Sequence, residues 1–266
     1  MEPVLLEIRE GLAHITLNRP ERLNAFDETL ARAWEAATIR ATADDVGAIL
    51  IDAAGPAFCA GGDVVAMARS MGSGTELTAL AQVINTGIRA LTDSGIPVVA
   101  AAHGTTAGGG LGILLASDYA VVGEDSRIGC RYAAVGLTPD LSVTAQLARA
   151  VGERRALQLA LSDRLLTARE ALAWGLVAEV VAPDDPADAG MLATAVRQRA
   201  LDVARGWLGG ATWALGQAKR LIRSQPSRSM PDQLDEEART IGAAFDTPEA
   251  HERIAAFAAR SGRADA

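Results

Sequence analysis

The chain has 266 residues, 49% hydrophobic and 22% charged, with a formal net charge of −8, inside the range of ordinary globular proteins. This excludes a disordered chain, a collagen-like fibre and a disulfide scaffold, and a chain of this size buries roughly three quarters of its unfolded surface. Lys219 is its only lysine, so it lacks the basic face of a general nucleic-acid binder, while local arginine sites for a small phosphate ligand stay open.

The N-terminal stretch carries Glu2, Glu7, Arg9 and Glu10, without the basic start and apolar run of a signal peptide. Val4 to Arg9 and His14 to Leu17 read as strands around a hairpin signal at Glu10-Gly11-Leu12-Ala13. Asp27 is a good N-cap for a helix over Glu28 to Ala41, whose Leu30, Trp34, Ala37 and Ala41 form a stripe. Strand Ala48 to Asp52 ends at Gly55-Pro56, and a glycine turn in Phe58 to Asp63 leads into a short helix through Met67. Met71 to Gly74 reads as a loop, and a helix over Glu76 to Leu91 turns Leu77, Leu80, Val83, Ile84 and Ile88 inward.

Strand Pro97 to Ala102 follows; the apolar run from Ile96 to Ala102 is far short of the ~20 residues of a membrane span. Glycines 104, 108, 109, 110 and 112 then fall at a strand-to-helix turn, before a helix at Ile113 to Ala116 and a strand at Tyr119 to Val122. Further on come an extended Arg127 to Gly129, a loop at Gly136 to Asp140, helix Thr144 to Leu161 interrupted at Gly152, a helix from Thr167 to Trp174, and a last strand at Leu176 to Val181. Strand, helix, strand is the grammar of a parallel sheet in an α/β fold. From Ala187 onward the chain reads as an alanine-rich helical appendage. Cys59 and Cys130 show no CxxC spacing and read as reduced thiols, which points to a cytoplasmic protein with no membrane partner.

Two turns, Ala60 to Gly62 and Ala107 to Gly110, each follow a parallel-type strand and precede a helix, so both can aim backbone N–H groups at one cleft. Two such donors make an oxyanion hole, aided by the helix dipole after Gly109. Neither turn has the Lys and Ser or Thr of a phosphate loop or the spacing of a dinucleotide fingerprint. The histidines at 14, 103 and 251 are too scattered for a triad, and no metal-ligand spacing occurs.

The segments from Leu17 to Phe26, Phe58 to Val64 and His103 to Asp118 (HGTTAGGGLGILLASD) resemble, in order and spacing, the crotonase superfamily of enoyl-CoA hydratases and isomerases. The likeness continues through Gly136 to Asp140 and Glu170 to Val180 to Ala218-Lys219-Arg220-Leu221-Ile222. It implies a crotonase-like spiral of ββα units over residues 1–186 and a helical trimerisation region over 187–266, assembled as a homotrimer or a dimer of trimers. It implies an acyl-CoA substrate, with coenzyme A part of the thioester and no prosthetic group or metal. By motif position, Gly62 and Gly109 would hold the thioester oxygen, Ala60 would meet the adenine, and Arg22 and Leu23 would lie along the nucleotide. Lys219 would reach a CoA phosphate, or else lie on a solvated helix face. Asp63 reads as a helix-start residue.

The family's hydratases use two glutamates, because adding water requires managing two protons. Their positions correspond here to Gly112 and Tyr132. A carboxylate appears instead at Asp140, in the Gly-Leu-x-Pro-Asp arrangement of several isomerases, including those resembling epoxyphenylacetyl-CoA isomerase. One carboxylate suffices to move a proton between two carbons, provided a desolvated pocket raises its pKa; otherwise Asp140 would cap the helix that follows. Such isomerases usually continue with a small residue and two glycines, where this chain has Leu141-Ser142-Val143, which implies a narrower or differently shaped pocket wall. Gly112 and Tyr132 are expected to line the acyl site, Tyr132 as a wall or else as a hydrogen-bond donor through its phenol. The expected reaction is a 3,4-to-2,3 enoyl-CoA isomerisation. The alternatives are a hydratase with unorthodox water activation by Asp140, a hydrolase like 4-chlorobenzoyl-CoA dehalogenase with Asp140 as nucleophile, and a non-catalytic acyl-CoA-binding relative.

Overall fold

The computed structural model describes residues 2–183 and 191–264. Strands β1 (Val4–Arg9) and β2 (Leu12–Leu17) form the expected hairpin. Its two-residue turn, Glu10-Gly11, has both φ angles positive, the mirror-image turn that matches strand twist. Helix α1 (Glu28–Ala41) begins where Asp27 accepts from Leu30 N, and it buries Leu30, Trp34, Ala37 and Ala41. Strand β3 (Ala48–Ala53) is buried at every position, as a central parallel strand with both faces covered must be.

The chain then winds as a spiral. Its elements are α2 (Val64–Ser70), α3 (Gly74–Asp93), β4 (Val98–Ala102), β5 (Thr105–Ala107), α4 (Gly109–Ala116), β6 (Tyr119–Gly123), β7 (Arg127–Gly129), α5 (Val143–Val151), α6 (Glu153–Ala160), β8 (Leu166–Thr167), α7 (Ala168–Trp174) and β9 (Glu179–Val181). The long strands form one sheet in the order β1-β2-β3-β4-β6-β9, and the short ones a second, β5-β7-β8. The turns β4-β5-α4 and β6-β7-α5 each place one strand in each sheet before a helix. A bridge from Cys59 to Thr106 carries the second layer to the turn after β3. Strands β5 and β8 are shorter than any periodicity can reveal.

The remaining helices are α8 (Leu192–Leu208), α9 (Thr212–Ser224), α10 (Met230–Phe245) and α11 (Pro248–Ala264). The boundary drawn between 186 and 187 lies outside the described residues, and the helical appendage needs correction. Leu192, Val196, Ala200 and Ala204 of α8 recur every fourth residue, and they bury against Ala48, Leu50, Val99, Ala101 and Val121. Because side chains alternate along a strand, Ile49 and Ile51 point into the other core, with Trp34 and Phe58. Helix α8 is therefore a layer of the main body.

Candidate active site

The two glycine turns meet. Gly61 has φ +111°, and a Cβ there would stand 3.1 Å from Ala107 O and 3.4 Å from Gly109 N, so only glycine lets the turns approach this closely. The bridge between Phe26 and Gly62 uses Gly61 O and Asp63 N. Gly62 N is thereby left without a protein acceptor among the described residues. Gly108 (φ +53°) donates to Gly129 O and Cys130 O, while Gly109 N, the first of α4, is likewise unused. A helix N-terminus leaves such N–H groups free and carries partial positive charge. All eight residues of α4 are buried, which fixes its first turn firmly.

Both turns line a cavity of about 390 Å³, walled by Met67, Leu77, Leu80, Ile84, Val135 and Leu137 among others. Asp140 is the one carboxylate among the described residues lining it. Its Oδ1 accepts from Tyr132 Oη at 2.7 Å. Burial pushes the Asp140 carboxyl up from its ordinary value, and the Tyr132 hydrogen bond opposes the shift. Burial, then the nearby Asp140 charge, also holds the phenol protonated. Tyr132 is thus both a wall and a donor to the carboxylate. Asp140 does not cap α5: Ser142 occupies the N-cap position.

Leu141 and Ser142, which stand where the resemblance calls for small residues and glycine, have φ +49° and +64°. The left-handed backbone that favours glycine is kept without it. Leu141 covers the first turn of α4, and a Cβ at Gly112 would stand 2.6 Å from Leu141 O and 2.8 Å from its Cβ. A glutamate at 112 has no room, and Gly112, covered by Leu141, is not among the residues lining the cavity, contrary to expectation. Leu141 also closes over Gly109, where an added Cβ would meet its Cδ1 at 2.8 Å.

Asp63 caps α2 as expected, accepting from Ala66 N at 2.9 Å. It also pairs with Arg19, which bonds Asp27 and Ala25 O as well; sequence reasoning missed this organiser of the first two helix starts. Buried Asn24, at φ +55°, completes it by accepting from Arg19 N and donating to Ala54 O and Ala57 O. Ala60 lines the cavity and donates to Leu23 O at 3.0 Å, and its carbonyl has no hydrogen-bond donor among the described residues. Leu23 and Arg22 are exposed beside it. Lys219 is elsewhere. It is buried, and its amine bonds Leu91 O and Ile96 O at 2.7 Å and Asp118 at 2.9 Å. Its three donors are taken within the chain, so it is neither a solvated residue nor open to a phosphate.

The sequence model of the enoyl-CoA hydratase/isomerase family matches residues 7–262. The chain belongs to this family, within the crotonase superfamily. Among relatives of this family member, a 1,2-epoxyphenylacetyl-CoA isomerase of Escherichia coli is 31% identical, over 98% of this chain and 97% of that one. A trans-2-decenoyl-[acyl-carrier-protein] isomerase of Streptococcus mutans is 34% identical over 68% and 70%. The crystal structure of an enoyl-CoA hydratase from Mycobacterium smegmatis superposes with a TM-score of 0.87 at 25% identity, covering 97% of this chain and 96% of that one. Among the described residues, no helix is long and apolar enough to cross a membrane.

Proposed function

We propose that this family member is an enoyl-CoA isomerase that moves a double bond from the 3,4 to the 2,3 position. The reading is carried by Asp140, the one carboxylate among the described residues lining a cavity that Gly62 and Gly109, with their unused N–H groups, also line, while Leu141 fills the space a hydratase glutamate would need at 112. The thioester oxygen accepts from Gly62 N and Gly109 N. Asp140, ionised, takes a proton from C2; the electron pair passes into the enolate, whose charge the two N–H groups stabilise. Asp140 then returns the proton at C4, leaving the conjugated 2-enoyl thioester. The partly desolvated carboxylate is a stronger base than one in water. Ala60, with Arg22 and Leu23 beside it, lies along the CoA nucleotide, and coenzyme A enters only as part of the substrate. The names of the two isomerase relatives support this reading. The assembly implied by the resemblance, a homotrimer or a dimer of trimers, is proposed with it, and sedimentation of the purified chain tests it.

The experiment presents wild type and Asp140→Asn with a 3-enoyl-CoA and, separately, a 2-enoyl-CoA, following absorbance of the conjugated thioester. Absorbance should rise with the first substrate, about 100- to 10,000-fold more slowly in the variant. Loss of absorbance with the second substrate would mean hydration instead, and full turnover by Asp140→Asn would overturn the assignment.

A further inference from the structure

We infer that Arg223, on α9, is a positioning residue that ties the helix bearing Gly109 to the loop bearing Asp140, acting through Gln146 and Ser142. The guanidinium reaches four acceptors on two sides. Its Nη2 donates to Ala116 O and Ser117 O, both at 3.0 Å, where α4 ends, and its Nε to Asp118 Oδ1 at 2.8 Å. Asp118 is itself fixed by Val98 N and Lys219. On the other side, Arg223 Nη1 donates to Gln146 Oε1 at 2.9 Å. Because Arg only donates, Gln146 must turn its oxygen toward it and its amide N–H the other way. That N–H meets Ser142 Oγ at 2.6 Å, and Gln146 N donates to Ser142 O at 2.9 Å.

Ser142 is thus held by both its side chain and its carbonyl in a left-handed conformation that serine disfavours. It adjoins Leu141, whose carbonyl and side chain close over Gly112 and Gly109. Helix α4 supplies an oxyanion donor at one end and is gripped by Arg223 at the other. The same side chain therefore sets where the Asp140 loop stands relative to that donor. Small misplacements of reacting groups cost rate rather than binding, so the clamp acts on kcat.

The kinetic arm of the test rests on the isomerase reading, and the structural arm does not. Hydrogen exchange is followed over residues 136–147, with α1 as internal control, in wild type, Arg223→Met and Gln146→Leu. Both variants should exchange about tenfold faster in that segment and unchanged in α1, as for a local opening. With a 3-enoyl-CoA, kcat should fall about tenfold with KM within about twofold. Adding Ser142→Gly to Arg223→Met should recover part of kcat, since glycine keeps the left-handed backbone unaided. Should Arg223→Met fail to fold, Gln146→Leu decides, because it leaves the grip on α4 and Asp118 intact. Unchanged protection over 136–147, or equal changes in kcat and KM, would overturn the clamp. A wild type inactive on the thioester, with exchange still raised in the variants, would remove the isomerase reading and leave the clamp standing.

Discussion

Asp140 sits partly desolvated with a single hydroxyl, that of Tyr132, supporting its charge. Removing that hydroxyl in Tyr132→Phe withdraws the one side-chain interaction that lowers its pKa, so the value rises further. On the proposed isomerase reading Asp140 must be ionised to take a proton, so the acid limb of the kcat profile should move to higher pH, as a pH–rate series on a 3-enoyl-CoA would register. The same burial has a cost for folding. A carboxyl whose folded pKa is raised favours the protonated state, and its contribution to stability declines as pH rises through that value. The amide of the Asp140→Asn variant cannot ionise, so that variant should be more stable than wild type at pH 7, with the difference closing below the unfolded carboxyl's ~3.9. Urea midpoints at several pH values check this. The carboxylate was legible in the sequence because Gly-Leu-x-Pro-Asp is a local pattern. Arg19 was not, because its partners Asp27 and Asp63 belong to two different helix starts that only tertiary folding brings together.

At the scale of elements, the decisive feature is the two-residue left-handed link before α5. Leucine at φ +49° is strained by about 1–2 kcal/mol, and glycine would relieve that. But Leu141 is only 4% exposed, and truncating a buried leucine costs about 2–5 kcal/mol. Burial outweighs strain, so Leu141→Gly should destabilise by about 1–3 kcal/mol net despite the better backbone, measured by urea unfolding. Gly112→Ala should cost about 1–3 kcal/mol by overpacking against the Leu141 backbone. Helices and long strands were readable from caps and periodicity. The left-handed link was hidden because leucine and serine carry no glycine signal. The apolar face of α3 was visible as inward, but periodicity cannot separate Leu77 and Ile84, which wall a cavity, from residues that fill a core.

Across the whole molecule, the C-terminal helices are bound to the spiral by the α8 stripe on the large sheet, by Lys219 reaching α3 and the segment before β4, and by Arg223 gripping the end of α4 and Gln146. Burial holds the Lys219 amine below its ordinary range, with Asp118 opposing. Lys219→Met would leave Ile96 O without its side-chain donor and Leu91 O with only Ser94 Oγ, while Asp118 keeps Arg223. A loss of about 2–4 kcal/mol is expected, read from chemical unfolding. The overall architecture was legible because three co-ordered motifs span the chain. The role of α8 was not, since its apolar stripe resembles that of any amphipathic helix until a sheet face is available to receive it.

The contact between Gly112 and Leu141 also constrains the order in which this site can change. An acidic residue introduced at 112 meets a main-chain oxygen, which no substitution at 141 alone removes. A variant moving toward chemistry with two glutamates would first have to re-route the link at 141–142, passing through a form with neither arrangement complete. The two positions are therefore epistatic, and single-step mutagenesis toward hydration should find no uphill path through residue 112.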